Sequence, residues 1–182
     1  LEASDAADSD FFGYSVSLSS NGLILAVGAN SWEGATGSNR GGVYIYDWSG
    51  SAWVQRGSVL AAADAADTDQ FGDSVSLSSD GSILAVGASA WESATGTNRG
   101  GVYIYDWNGS AWVQRGSVLE ASDASNTDYF GRAVSLSFDG SILAVGADSW
   151  EGAAGINRGG VYTYSLTGAL PSYSGVATGS GW

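Results

Sequence analysis

The chain has 182 residues with no Cys, Met, His or Lys, and six Arg against 19 Asp and Glu give a formal charge of −13. These counts exclude disulfides, thiol or imidazole catalysis and ordinary zinc or haem ligation, and an acidic chain lacks the basic clusters that neutralise nucleic-acid phosphates. No apolar run approaches the roughly 18 residues of a membrane helix, whereas 44% apolar and 12% aromatic residues suffice for a packed core.

A repeat with a period of 59 organises the chain. Residues 1–59 and 60–118 differ at 12 of 59 positions, and the copy beginning at 119 agrees with the second at 32 of 46 positions up to residue 164. The sequence thus divides into unit one (1–59), unit two (60–118), an incomplete unit three (119–164) and a Gly/Ser-rich tail (165–182) containing Pro171. The tail has no counterpart of Ala52-Trp53-Val54-Gln55-Arg56. Leu1-Glu2-Ala3-Ser4-Asp5 matches Leu119-Glu120-Ala121-Ser122-Asp123, which continues directly from the preceding unit. The sequence therefore starts partway through a structural unit, and we expect it to be a processed or excerpted piece of a longer protein.

In chain order, each unit predicts four short strands. Ser15-Val16-Ser17-Leu18-Ser19 alternates polar and apolar residues with the period of a half-buried strand. Asn21-Gly22 follows, with Asp80-Gly81 and Asp139-Gly140 in its place later, and predicts a two-residue hairpin with positive φ at both central residues. Ile24-Leu25-Ala26-Val27-Gly28-Ala29 is continuously apolar, as for a strand buried on both faces. A loop of about a dozen residues leads to Val43-Tyr44-Ile45-Tyr46-Asp47-Trp48. A tight turn at Ser49-Gly50 then opens Ala52–Arg56 as the fourth strand. Helical periodicity is absent, so the fold is all-β: three tandem four-stranded antiparallel repeats forming β-propeller-type blades. A β-sandwich would not explain a near-identical 59-residue unit, and a solenoid has shorter coils.

The units also carry Phe12-Gly13-Tyr14-Ser15-Val16 with Ala26-Val27-Gly28-Ala29, and Phe71-Gly72-Asp73-Ser74-Val75 with Val86-Gly87-Ala88. The third has Phe130-Gly131-Arg132-Ala133-Val134 with Val145-Gly146-Ala147, and Gly-Gly-Val-Tyr opens the third strand each time. This order of motifs resembles FG-GAP repeats, the blades of integrin α-like propellers and of many bacterial surface proteins. The resemblance implies a propeller and an extracellular or cell-surface setting. It departs from the calcium-binding members, whose Asp-x-Asp-x-Asp-Gly loop is replaced here by Ser19-Ser20-Asn21-Gly22-Leu23. The Pro expected after Val-Gly-Ala is Asn30, Ser89 or Asp148. The likeness is to the calcium-free bacterial branch.

In a meander, the two longer connections of each unit share one end of the strands, and rigidly held loops are where binding concentrates. Two features gather there. One is the carboxylate set Asp5, Asp8 and Asp10, repeated as Asp64, Asp67 and Asp69 and as Asp123, Asn126 and Asp128. These Asp residues are candidate Ca²⁺ ligands because that ion takes six to eight oxygens; the competing reading is a solvated acidic loop with one Asp capping the turn into Phe-Gly. No other cofactor is implied. The second is the loop holding Trp32 and Glu33, with Trp91 and Glu92, and Trp150 and Glu151, in the later copies. A Trp beside Glu and Asn suits a sugar platform; alternatively Trp32 packs down between blades while Glu33 and Arg40 pin the loop. Trp53 and Trp112, on the outermost strand, are expected to pack between blades. Asn108-Gly109-Ser110 is an N-glycosylation sequon in a turn.

Three near-copies of a carboxylate set do not mark one active site, so no enzyme is expected. Propellers close with about four to eight blades. Three blades leave apolar faces uncovered, so the expected partners are further copies of the chain or the rest of a longer repeat chain, joined into a ring or a filament. The expected function is a non-enzymatic extracellular structural or adhesive repeat protein. The alternative is a carbohydrate-binding or calcium-assisted module recognising glycans or surface proteins.

Overall fold

The computed structural model describes residues 1–5, 7–34, 37–93, 96–151, 157–167 and 172–176. Unit one forms β1 (Ser15–Leu18), β2 (Ile24–Ala29), β3 (Gly42–Trp48) and β4 (Trp53–Gln55). Unit two forms β5 (Phe71–Leu77), β6 (Ile83–Ala88), β7 (Gly101–Trp107) and β8 (Trp112–Gln114). Unit three forms β9 (Phe130–Leu136), β10 (Ile142–Ala147) and β11 (Gly160–Ser165), and β12 (Ser172–Val176) follows. Each set is an antiparallel meander in sequence order, so the chain is all-β, with three sheets of propeller-type blades. The tail supplies β12, which pairs with β11. The third sheet therefore has the four strands expected of each unit, although its fourth comes from the divergent tail, because strand pairing uses backbone groups and does not need the Trp-Val-Gln sequence of the other units. Residues 168–171, with Pro171, and 177–182 lie outside the described residues.

The hairpins follow turn chemistry, with one difference from expectation. Only the glycines of the first turn take positive φ, at +69° for Gly22 and +70° for Gly81. The Gly22 N–H donates to the Ser19 carbonyl (2.9 Å) and Ser19 pairs with Ile24, so the loop spans four residues rather than two. Asn21 stays out of the left-handed region because its side chain is used locally: its Oδ1 accepts from the Leu23 N–H (2.9 Å) and the Ser19 hydroxyl (2.8 Å). The second turn is a two-residue loop, closed by the Ser49 N–H to the Ala52 carbonyl (2.9 Å), with Gly50 at φ +95°.

The period of 2 splits each sheet into two faces. Ala26, Val43 and Ile45 of unit one pack against Val75, Leu84, Val86, Tyr103 and Tyr105 of unit two. Ala85, Val102 and Ile104 of unit two repeat this against Leu143, Val145, Tyr162 and Tyr164 of unit three. The core is therefore built between units more than within them.

The Phe-Gly turn locks each junction. The Phe71 N–H donates to the Arg40 carbonyl (2.9 Å), and Phe130 does the same to Arg99 (3.1 Å). The next residue's carbonyl, that of Gly72, accepts the Ser15 hydroxyl (2.7 Å) and lies 2.1 Å from where a Cβ on Gly28 would stand. In the second junction the Gly131 carbonyl takes the Ser74 hydroxyl (2.7 Å) and lies 2.0 Å from such a Cβ on Gly87. Only a residue without a side chain allows this approach. The inner strands are stitched further by the Leu77 N–H to Ser17 Oγ (3.0 Å) and the Leu136 N–H to Ser76 Oγ (2.9 Å).

Among the described residues, the two end faces are uncovered. Val16 on unit one is 63% exposed where its counterpart Val75 is 8% exposed; Val161 on unit three is 42% exposed where Val43 and Val102 are fully buried. At Gly146, the unit-three counterpart of Gly28 and Gly87, an added Cβ would meet nothing closer than 3.4 Å. Gly87→Ala should therefore lower unfolding stability by about 2–3 kcal/mol through overpacking, while Gly146→Ala should leave the single chain within about 0.5 kcal/mol of wild type. Urea unfolding of both variants checks this, and equal effects would contradict the close-approach account.

Candidate functional site

The two loop families meet at one end of the sheets, and they meet across unit boundaries. The Thr68 N–H donates to the Ser38 carbonyl (2.9 Å) and the Gln70 N–H to the Asn39 carbonyl (3.2 Å), so the Asp loop of unit two runs along the long loop of unit one. The Arg40 Nε reaches Asp67 Oδ1 at 3.0 Å, and the Ser38 N–H reaches the same oxygen at 3.2 Å. Arg40 and the Ser38 amide hold the Asp67 carboxyl below its ordinary pKa. Arg40 thus pins its loop to the neighbouring unit, rather than acting with Glu33, which is exposed.

The carboxylates within each loop have separate partners. Asp5, Asp64 and Asp123 accept the hydroxyls of Tyr44, Tyr103 and Tyr162 at 2.8, 2.9 and 2.7 Å. Burial, and then the facing carboxylate, push these phenols above their usual pKa. Asp10, Asp69 and Asp128 are buried and accept the backbone N–H three residues earlier, from Ala7, Ala66 and Ser125, at 2.7–2.8 Å. Each caps its own turn before the Phe-Gly segment. Asp8 lies exposed between them. Among the described residues, no three Asp or Glu side chains come together in an arrangement that could hold a metal ion.

The Trp side chains turn inward. Trp32, Trp91 and Trp150 are half-buried, each resting on the glycine that opens the third strand: Gly42, Gly101 and Gly160. A Cβ on those glycines would stand 3.0–3.2 Å from the indole ring. One edge of Trp32 still reaches a shallow cleft of about 300 Å³ shared with Asp5, Asp10, Glu33 and Gly34, and this cleft is where the candidate residues of both loops come together. On the outer strands, Trp48 pairs with Trp53 (5.4 Å between ring centroids) and Trp107 with Trp112 (5.5 Å). Arg56 binds Asp47 through two nitrogens and lies over the Trp107 ring of unit two at 4.7 Å, a cation–π contact between units.

One constellation was not singled out from sequence. Asp73 is buried between units, accepting the Asn30 side-chain amide of unit one (2.9 Å), the Ser89 hydroxyl, and Arg132 of unit three at 3.1 Å. The signal for it lies in the repeat: Tyr14, Asp73 and Arg132 occupy one position, and Asn30, Ser89 and Asp148 another, in otherwise near-identical copies. The copies differ where they meet.

Sheets, cross-unit glycine contacts and loops together define an all-β tandem-repeat protein built of propeller-type blades. The FG-GAP repeat family model matches residues 1–46, 53–105 and 112–164, and the chain belongs to this family. No curated protein matches the chain. Among solved structures it is similar to Sqt1 of Saccharomyces cerevisiae, with TM-score 0.56 and 11% identity over 94% of this chain and 37% of that one. It is also similar to the hydrazine synthase of Kuenenia stuttgartiensis, with TM-score 0.53 and 15% identity over 89% of this chain and 36% of that one. At such identities the likeness shows the fold alone, and the chain spans little more than a third of the length of those two structures.

Asp69 offers a pH test of the loop. Burial raises its carboxyl to about 6, against about 3.9 in an unfolded chain. The folded state therefore holds this proton more tightly, and the residue's contribution to stability is full below about pH 4 and lost as pH rises through about 6. Asp69→Asn keeps an oxygen acceptor without the charge. Relative to wild type, the variant should gain about 2–3 kcal/mol between pH 4 and pH 7 in urea unfolding; a difference independent of pH would contradict the assignment.

Proposed function

We propose that this is a non-enzymatic repeat protein of the extracellular space or cell surface, with a structural or adhesive role. In this reading it associates with further copies of itself, or with the rest of a longer repeat chain, by packing blade on blade. The single observation that carries the reading is that one interface occurs twice within the chain while the two end faces present the same residues uncovered. Val16 and Leu18 stand exposed at one end, Ile142 and Val161 at the other. Apolar faces of this kind mark association surfaces. The acidic, Lys-free surface and the FG-GAP units support the surface setting. The non-enzymatic reading is supported by the use of the loop carboxylates as turn caps, tyrosine acceptors and an ion-pair partner.

A second reading, a carbohydrate-binding or calcium-assisted module, is favoured by the cleft shared by Asp5, Asp10, Trp32 and Glu33. Light scattering and electron microscopy address the first reading: we expect masses above 18.5 kDa that grow with concentration, or ordered polymers. A stable 18.5 kDa monomer at all concentrations would overturn it. Glycan binding lost on Trp32→Ala, or a calcium-dependent rise in Tm lost on Asp5→Asn, would favour the second reading instead.

A further inference from the structure

The open face of unit three is a groove of about 570 Å³ lined by Ala133, Gly146, Ala147, Gly159, Gly160 and Val161, with Arg132, Asp148 and Arg158 at its rim. In unit one the matching residues are Ser15, Gly28, Ala29, Gly41, Gly42 and Val43. Those are the residues on which the Phe-Gly turn of unit two sits: Phe71 bridges Gly41, and the Gly72 carbonyl lies against Gly28 and Ser15. The groove is therefore the same receptor with its Phe-Gly turn missing.

The donor half is displayed at the other end. Phe11, Tyr14, Val16 and Leu18 of unit one are exposed, and beside them Gly13 is exposed with nothing within 4 Å of a Cβ placed on it, while the Phe12 ring packs on Tyr44 of its own unit as Phe71 packs on Tyr103. We propose that, building on the self-association suggested above, the occupant of the unit-three groove is the Phe12-Gly13 segment of a second copy, docked head to tail. The interface continues the glycine seat already formed twice inside the chain, with Ala133 and Thr163 in place of the Ser and Ile of the inner junctions.

Charge favours this pairing. Arg158 is the counterpart of Arg40, and Asp8 is the counterpart of Asp67; Arg40 and Asp67 pair at 3.0 Å across the first junction. Arg158 and Asp8 are both exposed and would meet in the same way. At the second junction that partner is Asn126, so a unit beginning with Asp8 restores an ion pair that unit three itself does not offer. Tyr14 of the second copy would fall beside Arg132 and Asp148, as Arg132 falls beside Asp73. One bond is lost: Ala133 stands where Ser15 and Ser74 donate to the incoming carbonyl. A heterologous contact of this type closes into a ring or runs on as a filament according to its rotation.

Two variants separate the ends. Gly146→Ala fills the place where the incoming carbonyl would sit, yet its Cβ fits within the chain itself, at 3.4 Å from Ala133. Val16→Glu places a charge on the opposite, exposed face. Each is tested alone and mixed, by light scattering at a concentration where the wild type assembles, with circular dichroism showing that both fold. Each variant alone should lose assembly and run at 18.5 kDa. The mixture should recover a species of twice that mass and stop there, because Gly146→Ala keeps a sound head and Val16→Glu a sound tail. Variants that assemble like wild type, or a mixture that stays monomeric, would overturn head-to-tail docking and leave association through another surface. A monomeric wild type would overturn the proposed function as well.

Discussion

The structure depends on a backbone carbonyl pressed against a bare Cα. At each junction the turn carrying Phe-Gly arrives so close to Gly28 or Gly87 that any side chain there would collide with it. Its Phe N–H is then satisfied by the long loop of the preceding unit. Everything else follows from that seat. It sets the spacing between sheets, brings Val43 and Ile45 against the tyrosine face of the next unit, and lays the Asp loop beside the long loop. Two glycines and one hydrogen bond, repeated, turn separate meanders into a stack, in the way that neighbouring repeats of a tandem array stabilise one another.

Near-identity of the units makes the stack extendable, and the few differences give it direction. Asp73 is buried, and it is matched on one side by Asn30 and on the other by Arg132. A buried carboxylate left without such partners is strongly destabilising, so unit two belongs between a unit bearing Asn30 and one bearing Arg132. Outside this network, substitutions fall mostly on exposed loop positions. The glycine seat is common to all units, while the buried polar network distinguishes their order.

Much of the fold was legible because its determinants are local and repeated. Alternation in Ser15–Leu18, the apolar run Ile24–Ala29 and the Gly50 turn each declare a strand or a bend without reference to neighbours. The Asn21-Gly22 loop was misjudged in length because the Asn side chain serves its own turn, which a dipeptide rule does not anticipate. For strand β12 the tail's sequence leaves a divergent fourth strand, a linker and a docking element all open, since pairing through backbone leaves no mark in residue type. Of the candidate loop residues, the sequence placed Asp5, Asp10, Trp32 and Glu33 at one end of the sheet, and they share a cleft. It did not reveal that Trp32 rests on Gly42, or that Asp67 takes Arg40 from another unit. Those are contacts between positions far apart in the repeat or in different copies, and single-copy periodicity carries no information about them.

The central claim is that the cross-unit seat of the Phe-Gly turn holds the stack together, and native-state hydrogen exchange tests it most directly. The amides of Phe71 and Phe130, which donate to Arg40 and Arg99 of the preceding unit, should exchange only with global unfolding, as slowly as those in the middle of β6. Exchange of those two amides at the rate of exposed loop positions, while β6 stays protected, would contradict the account.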